Sequence, residues 1–236
     1  FMDLKETLGG VVYDQGKLGS CTANGLGHAV EFAQRKEGAP QIFRPSRLQI
    51  YYNERFIEGT VNIDAGAEIR NGIKVLASQG AAPEALWPYL IDQFATPPSA
   101  EAVASARKNL ITSYQSIPQD LRHMKACLAE GFPFVFGFTV YPSFDTREVA
   151  VTGKMQLPGQ DEEPLGGHCV LCVGYNDNTS VFTCLNSWGD LWGQSGYFTM
   201  PYLYLENPGL SGDLWVIKTT EDDVLCRSRK SEHPPL

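Results

Sequence analysis

One cysteine, Cys21, stands where a reactive thiol would be expected. It follows Ser20, a residue type typical of helix N-caps, at the start of the amphipathic stretch CTANGLGHAVEFAQRKEG. The partial positive charge and unpaired N–H groups at a helix N-terminus favour a thiolate over a thiol. A cysteine at a helix start is more often structural, so its interpretation as a nucleophile depends on what accompanies it.

A histidine and an asparagine much further along the chain are candidates to act with Cys21. His168 follows two glycines in GGHCVLCVGY, and Asn186 ends the run VFTCLN. The turn-rich NDNTS between these runs predicts a β-hairpin, in which His168 falls opposite a position one or two residues beyond Asn186. The Asn186 amide would then reach the imidazole and fix its tautomer. The two glycines would let a substrate or another backbone come close to His168.

Gln15 completes the candidate set. It precedes Cys21 by six residues, and its side-chain N–H could point at an oxyanion developing near the thiol. A nucleophile, a base, an orienting amide and an oxyanion donor together indicate acyl transfer through a thiol.

The six cysteines of the chain do not indicate a metal site or a disulfide framework. Cys169 and Cys172 form a CxxC within a β-branched run, where residues three apart point to opposite faces of a strand. Neither a second CxxC nor an HxxxH accompanies them. We therefore interpret them as buried free thiols and predict no metal and no cofactor. A thiol oxidoreductase that uses this CxxC is the weaker alternative.

The order of the predicted elements indicates an α+β fold. Helical patterns with cap residues and terminal glycines predict helices after Ser20, between Ser46 and Gly59, and up to Gly80. Further helices are expected at TPPSAEAVASARKN and QDLRHMKACLAEG. Strand-like runs follow, namely FVFGFTV, VLCVGY, VFTCLN, GYFTM and DLWVIKT.

These elements predict one domain over residues 1–226. A helical lobe is expected at about 13–109 and a lobe of antiparallel sheet or barrel at about 110–220. The residues 227–236, RSRKSEHPPL, are expected to form a flexible tail.

Composition and charge disfavour nucleic acids and membranes as partners of this protein. The net charge of −8 over 236 residues disfavours nucleic acid, because phosphate binding relies on clustered Lys and Arg. No run approaches the roughly 18 apolar residues that would span a bilayer. A chain of this length can bury a core of its own, and we expect a monomer.

Three segments resemble the cysteine, histidine and asparagine motifs of the papain (cathepsin-like) family of cysteine peptidases. They are QGKLGSC, GGHCVLCVGY and NSWGDLWGQSGYF, in the family's order, with 147 residues from Cys21 to His168. LWPY and EGFPFVFGF resemble two further family elements, so the likeness runs from about Tyr13 to Lys218. GSCTAN and PSRLQIYYNER are most similar to bacterial members and to those of some large viruses and protists.

The resemblance implies a papain-like two-lobe fold, in which the helical lobe and an antiparallel β-barrel lobe enclose the active-site cleft. It implies that Cys21 is the nucleophile, paired as a thiolate with a His168 imidazolium. Asn186 would orient His168, and Gln15 would bind the oxyanion. The implied substrate-binding residues are Gly19, Gly66, Ala67, Gly167 and Trp188.

The sequence also departs from the animal and plant members of the family. Leu18 stands where they usually carry a disulfide cysteine, and Thr22 stands where they carry Trp. Trp188 is expected to shield the His168–Asn186 hydrogen bond from water, and Trp192 to pack in the core.

The predicted function is that of a cysteine endopeptidase acting on a peptide or protein substrate. A propeptide or a protein inhibitor is another expected occupant of the cleft. An acyltransferase or transpeptidase on the same fold is the main alternative. An inactive papain-like binding protein is disfavoured, because all four candidate catalytic residues are present. The sequence leaves the location of the protein open, with export slightly favoured over the cytoplasm.

Overall fold

The computed structural model describes residues 1–218, so the predicted tail at 227–236 lies outside the described residues. The helices are α1 (Cys21–Lys36), α2 (Arg47–Glu58), α3 (Ile69–Ser78), α4 (Ala100–Ala106), α5 (Leu121–Ala129), α6 (Arg147–Thr152) and α7 (Tyr202–Glu206). The strands are β1 (Met2–Asp3), β2 (Ser113–Ser116), β3 (Phe134–Val140), β4 (Gly166–Asn176), β5 (Val181–Leu185), β6 (Tyr197–Pro201) and β7 (Ser211–Lys218). Within residues 1–218, no helix is long and apolar enough to cross a membrane.

Helix α1 is enclosed by the rest of the molecule, since every residue from Thr22 to Gln34 is buried. It begins at Cys21 as predicted, but the prediction that Ser20 caps it is wrong. The Ser20 side chain makes no capping bond to the helix. Its hydroxyl lies 2.5 Å from the Tyr89 hydroxyl and accepts a hydrogen bond from Asn24 Nδ2. In a buried helix, tertiary partners thus replace the local cap.

Helix α2 has the ends that the sequence predicted. The Ser46 hydroxyl accepts a hydrogen bond from the backbone N–H of Gln49, which is a normal N-cap contact. Gly59 ends the helix in the left-handed conformation that glycine adopts without steric strain.

The strands form one antiparallel sheet in the order β2–β7–β3–β4–β5–β6, with β1 also beside β4. The predicted hairpin is β4–β5, in which Leu171 pairs with Leu185 and Cys172 with Cys184. Continuing this register past the end of β5 places His168 beside Trp188, two residues beyond Asn186.

The α+β prediction is confirmed, but the predicted β-barrel is wrong. The outer strands β2 and β6 do not pair with each other within residues 1–218, so the sheet stays open. These strands have four and five residues. Closing a barrel requires tilted strands with a continuous ladder between the two edges. That ladder between β2 and β6 is missing here.

The helical part meets the sheet where α1 packs on β4. A Cβ added at Gly25 would lie 3.0 Å from Cys169 Sγ and 3.6 Å from Val135 Cγ1. The absence of a side chain at Gly25 therefore permits a close approach of helix and strand. Cys21 lies one turn before Gly25 on the same helix face, which brings the thiol to β4 next to His168 and Cys169.

Gly80, just beyond α3, provides a test of the packing below the cleft wall. Its φ is +76°, and an added Cβ would lie 2.0 Å from the carbonyl oxygen of Ala106. We expect Gly80→Ala to lower the free energy of unfolding by about 3 kcal/mol or more, because left-handed strain adds to a clash with backbone.

Gly38→Ala is the matched control for this measurement. Gly38 has a similar φ of +66°, but nothing lies within 4 Å of its added Cβ. It should lose only the roughly 1 kcal/mol of left-handed strain. Urea unfolding of both variants measures the difference, and equal losses would contradict the packing argument.

Candidate active site

A cleft of about 780 Å³ opens between the start of α1 and strand β4. Most of the residues predicted to bind or act on a substrate line it together, namely Gln15, Gly19, Cys21, Gly66, Ala67, Gly167 and His168. Asn186 and Trp188 do not line it. They contact His168 from behind, as described below.

Cys21 is the first residue of α1, and it is half-buried at the edge of the cleft. Burial raises the pKa of Cys21 to about 11, while the backbone N–H groups of Cys169, Thr22 and Cys21 itself act in the opposite direction. No hydrogen bond joins the Cys21 thiol to His168 among residues 1–218, although both side chains line the cleft. In this conformation the thiol is therefore protonated at neutral pH.

His168 is held by Asn186 in one tautomer. The distance from His168 Nε2 to Asn186 Oδ1 is 2.7 Å, and the same amide oxygen accepts a hydrogen bond from the Ser187 backbone N–H. Because an amide oxygen only accepts, Nε2 carries a proton in this contact. In the neutral ring, Nδ1 is then the nitrogen that is left to take a proton.

Aromatic rings fix the plane of the His168 imidazole. Trp188 stacks on it with a centroid distance of 4.9 Å and an interplanar angle of 28°, and Phe138 meets it edge-on at 5.6 Å. Trp188 therefore covers one face of the imidazole. The sequence did not identify Phe138 as a site residue, although its strand-like run was predicted, because its pairing with His168 across β3 and β4 appears only in the register.

Burial makes the imidazole as reluctant to ionise as the thiol. It lowers the pKa of His168 to about 4, and the hydrogen bond to Asn186 acts in the opposite direction. Each group therefore resists taking a charge alone. Moving the thiol proton to the imidazole would create both charges side by side, and their mutual attraction would offset the loss of hydration.

The side chain of Gln15 is held at both ends. The Ser187 hydroxyl donates to Gln15 Oε1 over 2.7 Å, and Gln15 Nε2 donates to the Leu18 carbonyl over 3.0 Å. The second Nε2 hydrogen remains for the cleft, which Gln15 lines. Ser187 was missed in the sequence, where its position directly after Asn186 was the available signal.

A carboxylate organises the cleft wall opposite β4. Both oxygens of Asp64 accept from the Gly19 backbone N–H at 3.0 Å, and Asp64 Oδ1 also accepts from the Tyr51 hydroxyl. The Tyr51 oxygen in turn accepts from the Gly66 backbone N–H at 3.1 Å. We call this group, Asp64 with Tyr51, Gly19 and Gly66, the Asp64 clamp. It joins two segments of the same cleft wall, one that contains Gly19 and one that contains Gly66.

Four cysteines of residues 1–218 besides Cys21 are structural in character. Cys127, Cys169, Cys172 and Cys184 are buried in the core. Cys169 contacts Gly25 of α1, whereas Cys172 lies opposite Cys184 in the β4–β5 register. The two cysteines of the CxxC therefore face different partners. Among the described residues there is no group of three or more His, Cys, Asp or Glu that could hold a metal ion.

Comparison with known proteins gives consistent matches. A sequence profile described as papain family cysteine protease matches residues 3–204. The crystal structure of xylellain, a cysteine protease from Xylella fastidiosa, is 44% identical with a TM-score of 0.87, covering 93% of this chain and 85% of that one. An uncharacterised peptidase C1-like protein of Acanthamoeba polyphaga mimivirus is 41% identical over 220 residues, which are 90% of this chain and 71% of the viral protein.

Two more distant proteins are also similar to this chain. The cathepsin B-like CP2 of Giardia intestinalis is 29% identical over 80% of this chain and 63% of its own length. The digestive procathepsin L 3 of Tenebrio molitor has a TM-score of 0.71 at 18% identity, covering 92% of this chain and 69% of that one.

The Asp64 clamp leads to a prediction about the cleft wall. In Asp64→Ala, the Gly19 amide loses its acceptor and the Tyr51 hydroxyl loses the group that orients it. We expect backbone amide exchange at Gly19 and Gly66 to accelerate by about tenfold or more, as for the loss of a hydrogen bond worth about 1.5 kcal/mol. Hydrogen exchange followed by mass spectrometry or NMR measures this. Asp92→Ala, which removes an exposed carboxylate, should leave both amides unchanged, and unchanged exchange in Asp64→Ala would refute the clamp.

Proposed function

Because the chain belongs to the papain family of cysteine proteases, we propose that it is an endopeptidase in which Cys21 attacks the peptide carbonyl and His168 transfers the protons. The observation that carries the proposal is the arrangement around one cleft. The thiol lies at the start of α1, and the imidazole is fixed on the facing strand by a 2.7 Å hydrogen bond to Asn186. The peptidase class follows from the family, and the roles of the individual residues are the proposal.

The first step is the transfer of the Cys21 proton to Nδ1 of His168. It requires the thiol to turn toward the imidazole. Asn186 then stabilises the imidazolium through its amide oxygen, and the N-terminus of α1 stabilises the thiolate. The ring contacts of Trp188 and Phe138 hold the imidazole in the plane that both hydrogen bonds require.

Attack of the thiolate on the scissile carbonyl forms a carbon–sulfur bond and an oxyanion. Collapse of this intermediate breaks the carbon–nitrogen bond, and the imidazolium gives its proton to the leaving amine. The product is a thioester at Cys21. Water, deprotonated by His168, then attacks the thioester and releases the acid and the free thiol.

The oxyanion would be bound by the backbone N–H of Cys21 and the free Nε2 hydrogen of Gln15. Ser187 and Leu18 hold the Gln15 amide in place before the substrate arrives, so little reorganisation is needed during the reaction. Loss of one such donor typically raises the activation free energy by about 3–4 kcal/mol.

The substrate would lie in the cleft as an extended peptide. Gly19, Gly66 and Ala67 border the cleft on one side and Gly167 on the other, so the backbone of a peptide can approach closely. A propeptide would use the same surface. The name of the Tenebrio molitor procathepsin indicates a proform in that protein, and a propeptide that occupied this cleft would exclude the substrate.

The first test is turnover of a fluorogenic dipeptide library under reducing conditions. We expect hydrolysis by the wild type, none by Cys21→Ala, and a kcat lowered by about 10²–10³ in Gln15→Ala. An epoxide that alkylates active-site thiols should block the wild type. Product analysis with an added amine separates hydrolysis from transpeptidation. Full activity of Cys21→Ala would refute the proposal, and equal kcat in Gln15→Ala would remove Gln15 from the oxyanion site.

The thiolate–imidazolium pair predicts the pH dependence of Cys21 alkylation. If His168 holds the thiol proton, alkylation by iodoacetamide should persist at pH 5, where an isolated thiol with a pKa of about 11 would be protonated. In His168→Ala the buried thiol keeps its raised pKa, so the rate at pH 5 should fall by at least about 100-fold. Peptide mass spectrometry reads the modification at Cys21.

His123→Ala is the matched control for this experiment. His123 lies on α5, where it contacts Asp120 rather than the cleft. Its replacement should leave the alkylation profile unchanged. A wild-type rate that rises only above pH 9 would show a neutral pair and refute the pairing.

A further inference from the structure

A buried carboxyl group lies directly behind the nucleophile and takes no part in the mechanism above. Glu54 of α2 is fully buried, at 0% exposure. Its Oε2 accepts a hydrogen bond of 2.8 Å from the hydroxyl of Thr22, the residue after Cys21. Its Oε1 has no hydrogen-bond partner among the described residues. This carboxyl group therefore has one partner where an ionised carboxylate needs several.

The packing leaves no room for the Glu54 side chain to escape. A Cβ added at Gly72 of α3 would lie 2.3 Å from Glu54 Oε1 and 2.2 Å from Leu26 Cδ1. Gly72 thus makes the space that Glu54 and Leu26 occupy between α1 and α3. The carboxyl group is fixed below the first turn of the helix that carries the thiol.

The charged groups nearby do not neutralise Glu54. The Arg55 guanidinium is committed elsewhere, since it donates to the backbone carbonyls of Tyr51, Val61, Ile63 and Phe94. On the same helix, Glu58 is a second acid, and it accepts from the Glu68 N–H and the Asn71 amide of the α3 region. The groups facing Glu54 from α1 and β4 are the thiols of Cys21 and Cys169.

We propose that Glu54 is a positioning residue, kept as a neutral carboxylic acid behind Cys21, and that its ionisation turns the nucleophile off. This inference rests on the proposed function, because it concerns the Cys21 thiolate. As a neutral acid, Glu54 accepts the Thr22 hydrogen bond and holds the first turn of α1 in place. As a carboxylate, it would put a negative charge beside a thiolate that must also be negative.

The direction of the electrostatic effects supports this inference. Burial is the main cause that raises the pKa of Glu54 to about 8, with Glu58 adding to the rise and Thr22 and Arg55 opposing it. The Glu54 charge raises the pKa of the Cys21 thiol and that of Cys169, whereas the pKa of His168 responds only to burial and Asn186. An ionised Glu54 therefore penalises the thiolate more than it favours the imidazolium, because the carboxyl group lies behind Cys21 and hydrogen-bonds to the next residue, Thr22.

The consequence is an alkaline limit to activity. Below pH 8 Glu54 holds its proton, and the thiolate has no neighbouring anion to oppose it. Above pH 8 that proton leaves for solvent, and the equilibrium between the two active-site groups shifts back to thiol and neutral imidazole. The same titration affects stability. The pKa of Glu54 rises on folding from 4.5 to about 8. The free energy of unfolding that this bound proton contributes is therefore complete below pH 4.5 and is lost as the pH approaches 8.

The test begins with the protonation state of Glu54. Difference infrared spectra of the wild type against Glu54→Gln should contain the carbonyl band of a protonated acid at pH 6, lost with a midpoint near 8. Thr22→Val, which removes the stabilising donor, should raise this midpoint, and Glu58→Gln, the matched control on the same helix, should lower it without abolishing the band. Absence of the band at pH 6 would overturn the inference.

Coupling to the nucleophile is tested separately. Linkage is reciprocal, so a thiolate that is penalised by Glu54 must raise the Glu54 midpoint, and Cys21→Ala should lower it. In peptide turnover, Glu54→Gln should retain at least about threefold more kcat/KM than the wild type at pH 9, while both agree at pH 6. The thermal midpoint of Glu54→Gln should exceed that of the wild type by a margin that grows from pH 4.5 to 8.

The outcomes distinguish this inference from the proposed function. Turnover by the wild type with equal infrared midpoints in wild type and Cys21→Ala would overturn the role of Glu54 alone. A lowered midpoint in Cys21→Ala without any turnover would support the coupling and count against the endopeptidase. Identical alkaline limbs in the wild type and Glu54→Gln would overturn the switch.

Discussion

The close approach of α1 to β4 determines the geometry of the whole site. Gly25 leaves only 3.0 Å between an added Cβ and Cys169 Sγ, so helix and strand are held together at that point. Cys21 is one helical turn away, and His168 is the strand neighbour of Cys169. The hairpin partner of β4 ends at Leu185, which delivers Asn186 to the back of the imidazole. A thiol, a base and an orienting amide from distant parts of the sequence thus follow from one contact.

Local sequence patterns were sufficient where a residue's role depends on its own element. The run FVFGFTV coincides with β3, and the step from a strand-like run through NDNTS identified the hairpin that joins His168 to Asn186. The patterns failed where a side chain contacts a residue that is remote in the sequence. Ser20 has the residue type of a cap, but Tyr89 takes its hydroxyl from 69 positions away.

Residues with an indirect role were also beyond the reach of the sequence. Ser187 meets Gln15 across 172 positions and Asp64 meets Gly19 across 45, and no periodicity marks such pairs. Nothing in the sequence marked Glu54, because its proposed role depends on its burial and on the space that Gly72 leaves for it. The prediction of a barrel failed for a related reason, because closure depends on whether the two edge strands, β2 and β6, lie beside each other.

The Asp64 clamp affects the range of redox potentials over which the cleft can keep its shape. Leu18 stands where the animal and plant members of the family usually carry a disulfide cysteine. In this chain, hydrogen bonds from Gly19 to Asp64 and from Gly66 to Tyr51 hold the cleft wall together. A disulfide opens once the surrounding redox potential falls below its own reduction potential. Hydrogen bonds do not respond to electron donors. The cleft can therefore keep its shape across the whole range of redox potentials in which Cys21 remains reduced.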